Sequence, residues 1–276
     1  MKRKILLPTD FSDNAWNAIV YALKLFKHEH CTFYFLNSTF VQISTLSQFS
    51  NKILKSIEQD ALKGLMELEK LVETTDANSN HDFQIILSRD NLIDAVKKAV
   101  KEEEIDLVVM GTKGASGAKE VFFGSNTIHL VKNLKQCPVL IIPETCEFTR
   151  PLQIGFPTDY NRFYSNKELK GIKLLADLYD ARIRIMHINE EEKLTDIQEY
   201  NLTKLKYYLN SYTCEFHWLP KYDDKTTEIN DFIKEYDISI LAMVNYAHSF
   251  IERITHEPVI KKLGFHIRIP FLVIPE

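Results

Sequence analysis

The sequence predicts an α/β protein of two tandem doubly wound domains, each with a five-stranded, mainly parallel sheet. Two observations support this fold class. Short, wholly apolar runs alternate along the chain with longer segments of helical periodicity, a pattern typical of buried parallel strands joined by helices. In addition, the landmarks of the first half recur in the same order in the second half. The 276 residues are ample for two domains of ordinary size.

The repeat is carried by three pairs of segments. They are Lys4–Asp10 with Gln153–Asp159, Ile105–Met110 with Ile238–Met243, and Pro138–Glu144 with Pro270–Glu276. Parallel strands resemble one another in general, but the shared Pro-Thr-Asp triplet and the two Ile-Pro-Glu endings are not generic strand sequences. We therefore predict a duplication, with domains at 1–146 and 150–276 and a short linker between them.

The first half predicts the order βαβαβαβαβ. Its apolar runs predict strands at Ile5–Leu7, Phe33–Leu36, Ile85–Leu87, Leu107–Met110 and Val139–Ile142. Helical periodicity predicts helices at Asp13–Lys27, at Leu46–Val72, after a cap at Asp90, and at Asn126–Leu134. The alternation indicates crossover connections between parallel strands.

The second half repeats this order. Strands are predicted at Leu152–Phe156, Ile183–Ile188, Thr213–Trp218, Ile238–Val244 and Phe271–Ile274. Helices are predicted between them at Asn166–Leu178, Thr195–Leu209 and Thr226–Tyr236.

Composition narrows the classes of partner. The net charge of −4 is spread evenly over the two halves, without the basic stripe expected of a nucleic-acid-binding protein. No stretch approaches the roughly 20 apolar residues of a membrane span. From the charge distribution and from this absence, we expect neither nucleic acid nor a membrane as a partner. The four cysteines form no Cys-x-x-Cys pair, which favours a reducing compartment, and we expect a cytoplasmic protein.

A glycine-rich loop is the most informative local feature. Four of the eight glycines lie between Gly111 and Gly124, directly after the strand that ends at Met110 and directly before a predicted helix. Glycines let a backbone approach a phosphate closely, and a helix N-terminus offers free N–H groups and a positive dipole end. Lys113 and the polar residues 125–127 add donors. Glycines at such turns also occur simply because they permit tight packing, so both interpretations stay open here.

The first strand ends near the same place. In open α/β sheets a ligand binds outside the carboxyl ends of the strands. Because Pro8-Thr9-Asp10 ends the first strand, we expect its side chains to face the crevice that the glycine loop lines.

These residues resemble a known family. Gly111-x2-Gly114-x9-Gly124-Ser125 resembles the ATP-binding signature of the universal stress protein family. Pro8–Ser12 resembles the family's first strand and turn, and Cys137–Pro143 resembles its last strand. The resemblance spans the first half and implies the adenine nucleotide alpha hydrolase-like fold with a bound ATP, with or without Mg²⁺.

The resemblance also implies roles for particular residues. The matching positions are Pro8, Thr9, Asp10 and Ser38 around adenine, Gly111, Lys113 and Gly114 under ribose and phosphates, and Gly124, Ser125, Asn126 and Thr127 around the phosphates. Met110, the strand residue before the glycine loop, is also expected to bind the nucleotide. One departure is Asn37-Ser38, where the family usually has His-Val.

The second half departs further from this pattern. Val244 and Ala247 stand opposite Gly111 and Gly114, and His256-Glu257 stands opposite Gly124-Ser125. A β-branched residue resists positive φ, and a carboxylate at the helix start repels phosphate. We therefore expect no cofactor in the C-terminal domain. The resemblance implies that this domain pairs with the first through the last strands, and it allows a homodimer.

Two alternatives remain beside a nucleotide-binding stress protein. One is an interaction scaffold of the same fold without nucleotide. The other is an adenine-nucleotide enzyme of the ATP pyrophosphatase or adenylyl transferase type, although the motifs Ser-Gly-Gly-x-Asp-Ser and His-x-x-His are missing. No residue is predicted to be catalytic, so hydrolysis is expected to be slow at most. No histidine, cysteine and acidic residues are grouped at metal-ligand spacing, and no metal site is predicted.

Overall fold

The computed structural model describes residues 2–40, 51–112, 124–189, 193–220, 225–246 and 268–276. The chain divides into two compact units, Met1–Thr145 and Cys146–Glu276. Both units are α/β, and all the strand pairs described in either unit are parallel.

Unit 1 alternates strands and helices along the chain. The strands are β1 (Arg3–Pro8), β2 (Cys31–Ser38), β3 (His81–Ser88), β4 (Leu107–Gly111) and β5 (Val139–Ile142). The helices are α1 (Asp13–Leu25), α2 (Asn51–Asp76), α3 (Leu92–Glu102) and α4 (Ser125–Asn133). The strands lie in the order β3-β2-β1-β4-β5. Because the chain moves outward from β1 in both directions, the order reverses between β1 and β4.

The five predicted strands of unit 1 are confirmed, and the apolar runs of β1, β2, β4 and β5 belong to the core, whereas Ile85–Leu87 of β3 is half-buried. Every residue of β4 and β5 is buried, and Ile5, Leu6 and Leu7 of β1 are wholly inaccessible. Continuous burial is what a parallel strand with helices covering both faces of its sheet requires.

Side-chain caps fix where two helices begin. Ser12 accepts a hydrogen bond from the Ala15 N–H and starts α1. Asn91 accepts one from the Asp94 N–H and starts α3. The expected cap at Asp90 is wrong, because the Asp90 N–H and carboxylate instead bond the Ser88 hydroxyl in the preceding turn. Helix α2 runs on to Asp76, four residues past the expected end at Val72, and the predicted start at Leu46 lies outside the described residues.

Unit 2 has the same alternation. Its strands are β6 (Gln153–Thr158), β7 (Arg182–Asn189), β8 (Cys214–Pro220), β9 (Ile240–Asn245) and β10 (Phe271–Pro275). Its described helices are α5 (Lys170–Tyr179), α6 (Asp196–Tyr208) and α7 (Lys225–Glu235). The strands lie in the order β10-β9-β6-β7-β8, which matches unit 1 strand for strand.

Candidate functional site

The strand order of unit 1 places a crevice between β1 and β4. These two strands pair at Ile5 with Leu107 and at Leu6 with Val108, so their carboxyl ends lie side by side. Ligands of doubly wound sheets bind at such a switch point. Pro8 and Met110 are the last and next-to-last residues of these strands, where the sequence predicts a site.

The turn after β1 is held by its own side chains. The Thr9 hydroxyl accepts a hydrogen bond from the Phe11 N–H at 3.0 Å. Asp10 Oδ1 accepts bonds from the Ser12 N–H at 3.1 Å and the Ser12 hydroxyl at 2.6 Å. Phe11 has φ 63°, in the left-handed region. This turn fixes the direction of the exposed Asp10 carboxylate at the mouth of the crevice.

The end of β2 supports this turn. The Asn37 side-chain amide is buried and donates to the Thr9 carbonyl oxygen at 2.8 Å. The Ser38 hydroxyl donates to the Asp90 carbonyl oxygen at 2.6 Å, so Ser38 ties β2 to the turn before α3. The sequence alone did not identify Asn37 as a site residue.

Unit 2 shows what Asn37 does. His187 stands one residue past the partner of Pro157, as Asn37 stands one residue past the partner of Pro8. Its ring nitrogen Nδ1 donates to the Thr158 carbonyl oxygen at 3.0 Å, the same link that Asn37 makes to Thr9. Asn37 therefore makes in unit 1 the hydrogen bond that His187 makes in unit 2. Comparing the two halves of the sequence could have revealed this pair.

Gly111 is required by packing. A Cβ at Gly111 would lie 1.8 Å from Asn14 Oδ1 and 3.0 Å from the Asn14 main-chain oxygen. Asn14 belongs to the first turn of α1, so a glycine here lets the start of α1 approach the end of β4. Gly111 is a buried strand residue, and of the two interpretations left open by the sequence its contacts support tight packing.

Thr127 positions the start of α4. Its hydroxyl is directed to the carbonyl oxygens of Gly111 at 3.1 Å and Thr112 at 3.3 Å. The Gly124 N–H donates to the same Thr112 oxygen at 2.5 Å. The family resemblance implies a place for Thr127 beside the phosphates, but Thr127 is only 2% exposed and its hydroxyl makes these internal bonds. Together the contacts bring the N-terminus of α4 to the end of β4.

Among the described residues, no N-cap side chain closes the N-terminus of α4. Its N-cap residue Gly124 has φ −61° and ψ 156° and makes no side-chain capping bond. Helices α1 and α3, in contrast, are capped by the side chains of Ser12 and Asn91. Ser125 and Asn126 are exposed. In general, a helix start without a side-chain cap leaves first-turn N–H groups and the positive end of the helix dipole available to an anion.

Unit 2 repeats the turn but surrounds it with its own side chains. The Thr158 hydroxyl accepts from the Tyr160 N–H at 3.1 Å, and Asp159 Oδ1 accepts from the Asn161 N–H at 3.0 Å. Tyr160 has φ 55°, but it is 2% exposed, compared with 45% for Phe11. Its ring stacks on His187 at a centroid distance of 4.4 Å, and burial raises the pKa of its phenol.

Helix α6 closes this turn further. The side-chain amides of Gln198 and Asn201 donate to the carbonyl oxygens of Asp159 at 2.9 Å and Tyr160 at 2.8 Å. On the other side, the hydroxyls of Thr158 and Tyr164 are hydrogen-bonded at 2.8 Å, and burial raises the pKa of Tyr164. At the position of Gly111, β9 carries buried Val244.

Several predicted positions cannot be placed. Lys113 and Gly114 lie outside the described residues, as do Ala247, His256 and Glu257. Within the described ranges, no cluster of three or more histidine, cysteine or acidic residues could hold a metal ion. No helix in those ranges is long and apolar enough to cross a membrane.

The strand order and the positions of the helices define a doubly wound α/β protein with a switch point between β1 and β4. The model of the universal stress protein family matches residues 1–143, and the chain belongs to that family. The predicted resemblance and fold class are thereby confirmed.

Individual relatives agree with this assignment. A universal stress protein of Methanocaldococcus jannaschii is 27% identical over 146 residues, covering 51% of this chain and 81% of the relative. Universal stress protein YxiE of Bacillus subtilis is 28% identical over 149 residues, covering 51% of this chain and 99% of the relative. The crystal structure of a universal stress protein from Archaeoglobus fulgidus covers 99% of this chain, and 96% of its own, with a TM-score of 0.68 and 16% identity. That last likeness shows that the fold of both halves is shared.

Proposed function

We propose that unit 1 binds an adenine nucleotide, ATP with or without Mg²⁺, as a regulatory ligand in a stress response. The observation that carries the proposal is the N-terminus of α4, where Gly124 provides no side-chain cap in the described part of the chain and Thr127 holds the helix beside the end of β4. Anions bind at such helix starts because several N–H groups converge there with the dipole. Membership of the universal stress protein family supports adenine nucleotide as the anion.

The proposed pose follows the crevice. Adenine lies against the turn of Thr9 and Asp10 and against Ser38, and the phosphates lie at the first turn of α4. The complete proposed set is Pro8, Thr9, Asp10, Ser38, Met110, Gly111, Lys113, Gly114, Gly124, Ser125, Asn126 and Thr127. Within this set, Gly111 and Thr127 contribute indirectly: Gly111 lets α1 approach β4, and Thr127 holds the start of α4 at the end of β4.

We further propose that residues 150–276 form a degenerate universal stress protein domain that does not bind ATP. The rigid turn after β6 supports common ancestry, because its hydrogen bonds match those after β1. Buried Tyr160 and the side-chain amides of Gln198 and Asn201 pack against the turn that contains Asp159, the counterpart of Asp10 in unit 1. Val244 and Glu257 replace a glycine and a neutral residue of the phosphate loop.

The test uses the full chain. Mass spectrometry of freshly purified, gently extracted protein identifies any carried nucleotide, and melting is then followed with and without ATP and Mg²⁺. At a hundredfold excess over Kd, bound ATP is expected to add about 2.7 kcal/mol to the free energy of unfolding. GTP at the same concentration is the matched control. Two results together would contradict the proposal and favour a nucleotide-free scaffold. The purified protein would carry no nucleotide, and ATP would leave its melting temperature unchanged.

A further inference from the structure

The turn after β1 contains a strained residue directly beside Asp10. Phe11 has φ 63°, in the left-handed region, where a bulky side chain is uncommon. Such a backbone conformation costs free energy and persists only where its surroundings hold it. Two hydrogen bonds hold it locally, from the Phe11 N–H to the Thr9 hydroxyl and from the Ser12 N–H to the Asp10 carboxylate. The place of the Phe11 ring shows a further support.

The Phe11 ring lies on a glycine of α2. A Cβ at Gly64 would lie 3.0 Å from Phe11 Cζ and 3.2 and 3.3 Å from its two Cε atoms. These three distances are nearly equal, as they are when an atom lies over the face of a ring rather than in its plane. The ring therefore rests flat, near its tip, on the backbone of α2. Phe11 is 45% exposed, so this contact leaves much of the ring accessible.

Gly64 is unfavourable for the helix that contains it. It stands near the middle of α2, which has 26 residues, and a glycine in a helix interior is less stable there than almost any other residue. Its contact with Phe11 supplies a reason for the glycine, because a larger side chain would meet the ring. The position of Gly64 therefore fits a specific need for close approach between α2 and the turn.

Unit 2 also holds this turn from the helix that follows its second strand. The side-chain amides of Gln198 and Asn201 on α6 donate to the carbonyl oxygens of Asp159 and Tyr160. Tyr160 is the counterpart of Phe11 and has φ 55°, in the same left-handed region. Both units thus hold a strained turn from the corresponding helix, through hydrogen bonds in unit 2 and through a ring on a glycine in unit 1.

We propose that Phe11, seated on Gly64, is a positioning residue for the nucleotide. The contact holds the turn after β1 in the conformation that directs Asp10 into the crevice, and it couples α2 to nucleotide binding. This inference rests on the proposed function of unit 1. A turn that is already held in its binding conformation need not be ordered when the ligand binds, which raises affinity. Because coupling between sites is reciprocal, bound nucleotide strengthens the contact between Phe11 and Gly64.

The first test measures the ATP affinity of the full chain by titration calorimetry. Gly64→Val places methyl groups under the ring and displaces it, while valine is no worse than glycine in a helix. We expect ATP to bind about tenfold more weakly. Met66→Val changes an exposed residue of the same helix, and this matched control is expected to bind ATP as the parent does. Equal affinity in Gly64→Val and the parent would overturn the inference.

Variants of Phe11 separate the contact from general damage to the fold. Phe11→Tyr keeps the ring and is expected to retain ATP affinity. Phe11→Gly adopts the left-handed backbone without strain but loses the ring, and it is expected to bind ATP about tenfold more weakly. Adding Gly64→Val to Phe11→Gly is expected to cause no further loss, because both changes remove the same contact. Losses that simply add in the double variant would overturn the inference.

A measurement without nucleotide separates this inference from the proposed function. In the free protein, the N–H groups of Phe11 and Ser12 make the hydrogen bonds of the turn, and NMR measures their exchange with solvent. We expect exchange to accelerate several-fold in Gly64→Val and to stay unchanged in Met66→Val. A parent chain that bound no ATP would contradict the proposed function, whereas unchanged exchange in Gly64→Val would overturn the positioning role of Phe11.

Discussion

Replacing Gly124 by Asp tests whether the start of α4 is the phosphate site. Gly124 has φ −61° and ψ 156°, which any residue adopts, so the change costs no backbone strain. The new side chain supplies the missing N-cap and a negative charge at the positive helix end. These effects together are expected to raise the free energy of unfolding by about 0.5–1.5 kcal/mol, or the melting temperature by about 2–5 °C.

The same carboxylate is expected to abolish ATP binding. Two unit charges ~4 Å apart repel by about 4 kcal/mol at an effective dielectric constant near 20, which corresponds to a loss of affinity of about a thousandfold. Titration calorimetry measures the affinity, and thermal unfolding measures the stability. Stability and binding are thus predicted to change in opposite directions, which general damage to the fold would not produce.

Gly124→Asn is the matched control. It caps the helix with a side chain of the same shape but adds no charge, so its affinity loss reports only competition for the first-turn N–H groups. We expect a loss of about tenfold, far smaller than for Asp. If the Asp variant bound ATP as tightly as the parent, the phosphates would not lie at this helix start and the reasoning would be refuted.

Three further predictions follow from contacts outside α4. Asn37→His keeps a donor to the Thr9 carbonyl oxygen and is expected to retain ATP affinity in titration calorimetry. Asn37→Leu removes the donor and is expected to lower the affinity several-fold, and an equal loss in both variants would contradict this role for the hydrogen bond. Gly111→Ala is expected to cost about 1–3 kcal/mol of stability in urea unfolding, through overlap with Asn14, and an unchanged midpoint would argue against that close approach. Burial, and to a smaller extent Arg184, lower the pKa of His217. Its stabilising contribution is therefore present above its ordinary pKa and is lost as the pH falls below that pKa. His217→Gln should flatten the decline of the free energy of unfolding between about pH 7 and 5, and an equally steep decline in the variant would rule His217 out as its cause.

The strands could be predicted because continuous apolar runs in the sequence indicate buried strands. The run Val139–Ile142 is wholly buried in β5, and Leu107–Met110 is wholly buried in β4. A strand with no polar position must be covered on both faces of its sheet. Repetition of these runs in the second half then predicted the second unit.

Local caps were less certain because neighbouring residues compete for the same role. Asp90 and Asn91 both favour an N-cap, and only the folded turn decides between them. Ser88 bonds the Asp90 main chain and carboxylate, which leaves Asn91 to cap α3. Sequence patterns locate such a boundary but do not choose between adjacent capping residues.

The candidate site, too, could be predicted only in part from the sequence. The glycine spacing and the Pro-Thr-Asp triplet identified the end of β1, the end of β4 and the start of α4. The reasons for Gly111 and Thr127 came only from structure, because their partners are Asn14 on α1 and main-chain oxygens at the end of β4. Asn37 was missed for the same reason, since its hydrogen bond joins β2 to the turn after β1.

The central proposal is that unit 1 binds one nucleotide at the start of α4 and that unit 2 binds none. Titration calorimetry of the full, nucleotide-free chain with ATP measures this directly as a stoichiometry. We predict a single ATP per chain, with binding lost in Gly124→Asp. A stoichiometry of two, or no binding at ATP concentrations up to the millimolar range, would contradict the account.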